Sequence, residues 1–309
     1  MKNCIGTTDF KIPDPTVIAI GKFDGDHRGH RKILNIMRGI AAEKHLKTAV
    51  FTFATPPSKI VSGDTKPQIS TNCERRKMLK NSGIDYIVEY PFTAATADMS
   101  ASDFVRDILI DRMNMKAIVA GTDCSFGKNR SGNAAFLQEA AEKYGFEARI
   151  VEKEKEFDRD ISSTYIREML EKGNLELANE MLGDVYSIEG EVVGGNHIGS
   201  SEIGYPTVNL IPPKGKLLPK NGVYKTEVRI SGGGEKRFQG ITNVGENPSV
   251  LQDRLNHRIR IETFLLNFNG DLYGKKVRVS FLKFIRPEKK FESLSALREQ
   301  IRKDVSDNF

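Results

Sequence analysis

Cysteine is scarce in this sequence of 309 residues, and Cys4, Cys73 and Cys124 stand far apart without metal-ligand spacing. Three dispersed cysteines exclude a disulfide framework and a thiolate zinc site, and they fit a reducing compartment. No apolar run approaches the roughly 18 residues that a membrane helix needs. Residues 1–9 also lack the apolar stretch of a signal peptide, so a cytoplasmic chain without a membrane partner is expected. Internal repeats and low-complexity segments are missing. So is a dense basic stripe, which argues against nucleic acid as a partner and for a small polyphosphate.

What is present is an ordinary globular composition, 39% hydrophobic and 28% charged, at a length that suggests two domains. The net charge is +6; residues 1–183 are close to neutral and the remainder carries nearly all of the excess. The hydrophobic pattern changes at the same place. Before it, the apolar runs 17–20, 48–53, 84–90, 117–120 and 148–151 read as strands. Helical spacing recurs between them, at Ile33, Met37 and Ile40, from 103 to 113 behind a Ser100 cap, and from 134 to 144. Thr71 and Glu74 form a capping-box pattern opening a helix that stops near Gly83. Repeated βα units predict a Rossmann-like parallel sheet with its ligand at the carboxyl ends of the strands.

After a linker near Leu182–Asp184, short β-rich runs dominate, at 187–193, 222–230, 238–244, 258–268 and 276–284. Asn269-Gly270 is a hairpin signal between the last two, and Ser293 caps a final helix to Lys303. This half predicts an antiparallel β-barrel with a terminal helix. The expected domains are 1–183 and 184–309.

Three segments carry chemistry. Between the first strand and first helix stands Gly21-Lys22-Phe23-Asp24-Gly25-Asp26-His27-Arg28-Gly29-His30. Its glycines permit a tight turn, and the helix start offers N–H groups and positive dipole to an anion. His27 and His30 can donate to phosphate oxygens there; the plainer alternative is a surface residue or a cap. The second segment is Ile161-Ser162-Ser163-Thr164-Tyr165-Ile166-Arg167, whose hydroxyls precede a helix with Arg167 expected in its first turn. These groups suit β- and γ-phosphates, although a simple Ser/Thr cap gives the same pattern. The third, residues 190–200, is glycine-rich without the Walker arrangement, and alone reads equally as a β-bulge. It leads into Gly204-Tyr205-Pro206-Thr207-Val208-Asn209.

The His-x-Gly-His turn with the later Ile-Ser-Ser-Thr-x-Ile-Arg resembles the nucleotidyltransferase superfamily. The arrangement of residues 14–305 is similar to bacterial bifunctional riboflavin kinase/FAD synthetases. Further matches are Thr55-Pro56-Pro57, Asp103-Phe104-Val105 and Ala120 to Gly127 in the first half, and Asn221 to Tyr224, Gly240 to Gly245, Arg260 to Phe268 and Phe284 to Pro287 in the second. The resemblance implies FMN adenylyltransferase activity in the first domain and riboflavin kinase activity in the second. It implies ATP as substrate of both, riboflavin and FMN as partners, FMN and FAD as products, and Mg²⁺ as the metal.

The implied residues follow from the same motifs. Gly21, Phe23, Asp24, Gly25, Gly29, Ser162, Ser163, Thr164 and Arg167 would hold ATP in the first domain, with His27 and His30 catalytic. Asp123 and Phe126 would border the flavin. In the second domain Gly194, Gly199, Ser200 and Pro206 would contact phosphates, Thr207 and Asn209 the metal, and Asn243 and Arg286 the flavin. Glu262 would be the base for the ribityl hydroxyl. The sequence departs from the family at Asp26, Cys124, Ser200, Asn247 and Phe264. Asp26 is expected to repel ATP phosphates unless Mg²⁺ or Arg28 offsets it. A monomer or weak homo-oligomer is expected. Two alternatives are a riboflavin kinase with a degenerate first domain and a non-catalytic flavin- or RNA-binding regulator.

Overall fold

Two kinds of hydrophobic spacing build two architectures in the computed structural model, which describes residues 1–64, 66–193, 207–230, 236–246 and 259–309. Its contacts divide it into Met1–Ser163 and Thr164–Phe309.

The first unit is a six-stranded sheet of β1 (Lys2–Ile5), β2 (Thr16–Ile20), β3 (Lys47–Phe53), β4 (Tyr86–Tyr90), β5 (Met115–Gly121) and β6 (Glu147–Val151). Every pairing is parallel, in the order β1-β4-β3-β2-β5-β6. The central strands are apolar throughout because both faces are covered. Ile18, Phe51, Val88 and Ile118 face one core, and Val17, Val50, Ile87 and Val119 face the other, where Leu34 and Met37 of the Arg28–Lys44 helix meet them. Successive strands step one way from β2 and the other way from β5, so the crevice between their carboxyl ends is the switch point where α/β sheets bind ligands. A ribbon, β7 (Lys155–Glu156) and β8 (Arg159–Asp160), completes the unit.

The expected capping box is present at the Asn72–Asn81 helix. The expected helix from 103 to 113 is instead a short α-turn, Ala101–Asp103, running into a π-helix, Phe104–Arg112. Phe104, Ile108 and Met113 are all buried. At about 3.6 residues per turn Met113 would lie opposite Phe104, whereas the wider π-turn brings both to the sheet. Edge strand β1 went unread in the sequence because its side chains are mostly exposed.

In the second unit β9 (Ser187–Val193), β10 (Thr207–Leu210), β11 (Gly222–Ile230), β12 (Arg237–Glu246), β13 (Ile259–Leu265) and β14 (Lys276–Arg286) close an antiparallel barrel. The order is β10-β13-β12-β11-β14-β9. The Asn269-Gly270 hairpin is therefore corrected: β13 pairs with β10 and β12, and β14 with β11 and β9. The connection is too long for a two-residue turn, and its positive-φ residues Asn267, Gly270 and Gly274 bend it separately. The final helix spans Leu294–Asn308 behind its Ser293 cap. No helix among the described residues is long and apolar enough to cross a membrane.

Contacts also place the Ser163–Lys172 and Leu175–Leu182 helices with the barrel, ahead of the expected linker. The Lys220 amide donates to the Leu170 carbonyl at 2.9 Å. Asn179 ties its helix to the barrel, accepting from the amide of Tyr186, just before β9, at 2.7 Å and donating to the Phe281 carbonyl of β14 at 3.1 Å. A fragment beginning at Thr164 should thus melt higher than one beginning at Asp184, by about 10 °C or more. Cutting at Asp184 discards both Asn179 bonds and the buried Leu175, Met181 and Leu182. Equal melting temperatures for the two fragments would show that these helices do not support the barrel.

Candidate active sites

The turn after β2 is built around a helix start. His27 is the N-cap of the Arg28–Lys44 helix, and its Nδ1 accepts from the His30 amide at 3.3 Å. That cap requires Gly29: a Cβ there would lie 3.2 Å from His27 Nδ1. Gly25 supplies the left-handed backbone, at φ +80°, that brings its carbonyl to 2.7 Å from His30 Nδ1. His30 therefore carries its proton on Nδ1, and His27 carries its own on Nε2. The two rings stack at 3.6 Å, with Phe23 behind His30 at 4.9 Å.

Burial is what sets their charge. It pushes the His27 imidazole down to about 2, with the neighbouring His30 adding to the effect. His30 is lowered as well, mainly by burial. The Gly25 carbonyl and the carboxylates of Asp26, Asp24 and Asp123 pull the other way. Both rings are neutral at pH 7, and His30 is the one surrounded by groups that favour a proton.

The surrounding acids are mostly engaged. Asp24 Oδ1 accepts from the Ser70 amide at 3.0 Å, and its carbonyl accepts from Ser163 Oγ at 2.7 Å. Asp26 is offset by Arg31, whose Nε lies 3.0 Å from Oδ2, and not by Arg28, which pairs with Glu156. One helical turn separates Asp26 from Arg31, whereas Arg28 at the helix start faces the ribbon. Asp26 Oδ1 is buried without a partner. Gly21 closes β2 through its amide to the Phe51 carbonyl at 3.2 Å.

Asp123 follows β5 across the switch point and pairs with Lys153 at 3.1 Å. Phe126 stands in the core instead, 8% exposed, against Phe104 at 5.3 Å and Phe136 at 5.9 Å. The helix expected to follow three hydroxyls begins at Ser163 itself, so Ser163 and Thr164 are inside it. Arg167 is then its fifth residue, one turn later than expected. Ser162 precedes it.

On the barrel, register brings the expected residues into line. Asn209 opposes Glu262, Glu262 opposes Asn243, Asn243 opposes Val223, and Val223 opposes Arg286. Strand residues alternate between faces. Thr226, Thr242 and Thr263 are fully buried and hydroxyl-bonded to one another at 2.7 and 2.8 Å, so Asn243 and Glu262 take the other face. Asn243 Nδ2 donates to Glu288 Oε1 at 3.1 Å. Arg286 is gripped by Asp304 of the terminal helix, through Nε at 3.1 Å and Nη2 at 2.8 Å. Phe264 packs against Ile301 of that helix. Asn209 is buried. Thr207 opens β10 two residues earlier. Gly194, Gly199, Ser200, Pro206 and Asn247 lie outside the described residues.

Arg31, Lys153, Glu288 and Asp304 escaped sequence reasoning. Each looks like a solvated surface charge until the fold supplies its partner.

Comparisons with known proteins cover nearly the whole chain. Residues 9–165 match the FAD synthetase family model, and residues 182–308 match the riboflavin kinase model. A bifunctional riboflavin kinase/FMN adenylyltransferase of Buchnera aphidicola is 36% identical over 299 residues, covering 96% of this chain and 93% of that protein. The enzyme of that description from Escherichia coli K12 is 36% identical, covering 93% of this chain and 90% of its own. The crystal structure of a Streptococcus pneumoniae macrolide-efflux protein aligns over 100% of this chain and 99% of its own, with a TM-score of 0.87 and 32% identity.

Neutral burial of His27 makes stability depend on pH. The unfolded imidazole takes a proton below about pH 6.5 while the folded one does not, so stability falls as pH falls through that value. At pH 5.5 the loss from His27 is about 1.4 kcal/mol. His27→Asn keeps a capping oxygen and removes the titration. The melting temperature of the parent should drop more steeply than that of His27→Asn between pH 7.5 and 5.5; parallel curves would contradict neutral burial.

Proposed function

The chain belongs to the bifunctional riboflavin kinase/FMN adenylyltransferase family, and from that premise we propose which of its residues carry each reaction. It phosphorylates riboflavin with ATP to give FMN, and it transfers AMP from ATP to FMN to give FAD and pyrophosphate. One observation supports the reading above the others: both family models match in sequence order, the first over every residue assigned to adenylyl transfer except Arg167 and the second over every residue assigned to phosphorylation.

Adenylyl transfer is assigned to residues 1–183. An FMN phosphate oxygen attacks the α-phosphorus of ATP, and pyrophosphate leaves. The nucleophile is already an anion, so the site needs donors and positioning more than a base. His27 Nε2–H and the N–H groups of the helix start supply donors to the phosphate oxygens. His30, neutral beforehand, takes a proton as the triphosphate brings in negative charge and then donates from Nε2. Gly21, Phe23, Gly25 and Gly29 shape the turn, Asp24 anchors it, and Ser162, Ser163, Thr164 and Arg167 are assigned to the β- and γ-phosphates. Asp123 with the loop that Phe126 anchors would border the flavin.

Phosphorylation is assigned to residues 184–309. Glu262 takes the proton of the ribityl hydroxyl as that oxygen attacks the γ-phosphorus, and ADP leaves. Gly194, Gly199, Ser200 and Pro206 are assigned to the phosphates, and Thr207 and Asn209 to the metal that accompanies them. Asn243 orients the flavin, and Arg286 acts through the terminal helix that Asp304 binds to it.

Mg²⁺ fits this donor set. No group of three or more His, Cys, Asp or Glu among the described residues could cage a metal, while Thr207 and Asn209, the residues assigned to it, are oxygen-bearing residue types two positions apart on β10. A sparse set of neutral oxygens suits an ion that arrives on ATP phosphates and keeps several waters. When bound, it would neutralise the developing phosphate charge. A cytoplasmic location and a monomer or weak homo-oligomer accompany the reading. ATP is supplied there, and the three cysteines are free thiols.

Incubation with riboflavin, ATP and Mg²⁺, resolved by chromatography, should yield FMN and then FAD. Glu262→Gln should lower FMN formation by about 10²–10⁴-fold and leave adenylylation of supplied FMN at the parent rate. His30→Ala should do the reverse, cutting FAD formation by about 10²-fold or more. Equal loss of both activities in either folded variant would overturn the assignment of two sites.

A further inference from the structure

The Asn72–Asn81 helix carries a buried charge cluster that neither assigned reaction uses. Glu89, at the carboxyl end of β4, is fully buried, and Arg75 is 3% exposed. Arg75 Nη2 reaches Glu89 Oε1 at 2.7 Å, and Arg76 Nη1 reaches Oε2 at 2.6 Å. Arg75 Nη1 then donates to the Lys22 carbonyl at 3.3 Å, while its Nε is buried without a partner. Replacing such a buried pair with apolar side chains is often neutral or stabilising, so stability alone is a weak reason for keeping it.

What the pair touches gives a better reason. Lys22 and Asp24 flank Phe23, which holds a left-handed φ of +48° unusual for a bulky side chain. Arg75 grips the carbonyl on one side, and the Ser70 amide just before the helix grips Asp24 Oδ1 on the other at 3.0 Å. The Phe23 ring, fully buried, backs His30 at 4.9 Å. The same helix holds the loop after β3, through Asn72 Nδ2 to the Ala54 carbonyl at 2.9 Å. One helix, bolted to β4 by Glu89, thus fixes the loops that leave two adjacent strands at the ligand-binding end of the sheet.

We propose that Arg75 and Glu89 are positioning residues for adenylyl transfer, holding the Lys22–Asp24 turn so that Phe23 sets the place of His30. The proposal rests on the assignment of adenylyl transfer to His27 and His30. Its effect lies in kcat: a displaced imidazole spoils the transition-state contact, and misplacement by about 1 Å can cost a hundredfold.

The test is the double variant Arg75→Met/Glu89→Leu in the full-length protein, which removes both charges together and lets half-exposed Arg76 turn to solvent. Its melting temperature should stay close to the parent's. Its kcat for FAD formation from supplied FMN should fall about 10–100-fold, with FMN formation from riboflavin unchanged and KM for ATP within about threefold. Side-chain NMR of His30 should show a shifted ring resonance, which a purely structural pair would not produce. Single Glu89→Leu, which strands two guanidinium groups, should lower both melting temperature and kcat. Parent kcat in the stable double variant, or equal loss of both activities, overturns the proposal. Failure of the parent itself to adenylylate FMN would sink the underlying assignment instead.

Discussion

The first unit depends on one constraint: a helix must begin at the point where the strand order reverses, so that its first turn opens on the crevice. The sheet order supplies the crevice, and the turn from Gly21 to Gly29 supplies the helix start. Filling that mouth with two imidazoles is costly in charge, because burial pushes both toward neutrality, and at His27 the neighbouring His30 adds to it. In the proposed mechanism an arriving triphosphate would change the balance, since it would bring the negative charge that favours a protonated His30. Asp24, Asp26 and Asp123 bias which of the two rings takes the proton. The Asp26–Arg31 pair means that the extra carboxylate does not face the phosphates uncompensated.

The barrel solves a different problem, the placement of polar groups on the outer face of a closed sheet. Strict alternation along β12 and β13 puts a chain of threonine hydroxyls inside and Asn243 and Glu262 outside. A slip of one residue would break the hydroxyl chain and bury the carboxylate, so the interior fixes the register of the row. The terminal helix attaches beside that row twice, through Phe264 to Ile301 and through Arg286 to Asp304. Arg286 thus fixes the terminal helix to the barrel, a contact its sequence motif does not reveal.

Much of this was legible in the sequence where a rule is local. The capping box at Thr71 and Glu74, the strands on both sides of the linker and the His-x-Gly-His turn are all present as read. The failures concern what depends on distant partners. Asn269-Gly270 has hairpin chemistry, but barrel closure assigns β13 and β14 other neighbours. The 103–113 segment has helical spacing, and only the sheet's demand for Met113 widens it to a π-turn. Arg75 and Glu89 look like surface charges fourteen residues apart, and nothing local shows that the fold buries them together.

The two-state character of His30 is the most exposed part of the account. Histidine-selective side-chain NMR, with the resonances of His27 and His30 assigned by substitution, can follow both rings through a pH titration. The measurement is made with and without a non-hydrolysable ATP analogue and Mg²⁺. In the free protein the His27 ring should stay neutral below about pH 5 and His30 should titrate below the ordinary histidine value, and the analogue should move the His30 titration upward. A His30 ring that titrates near the ordinary value of about 6.5 in both conditions would contradict it.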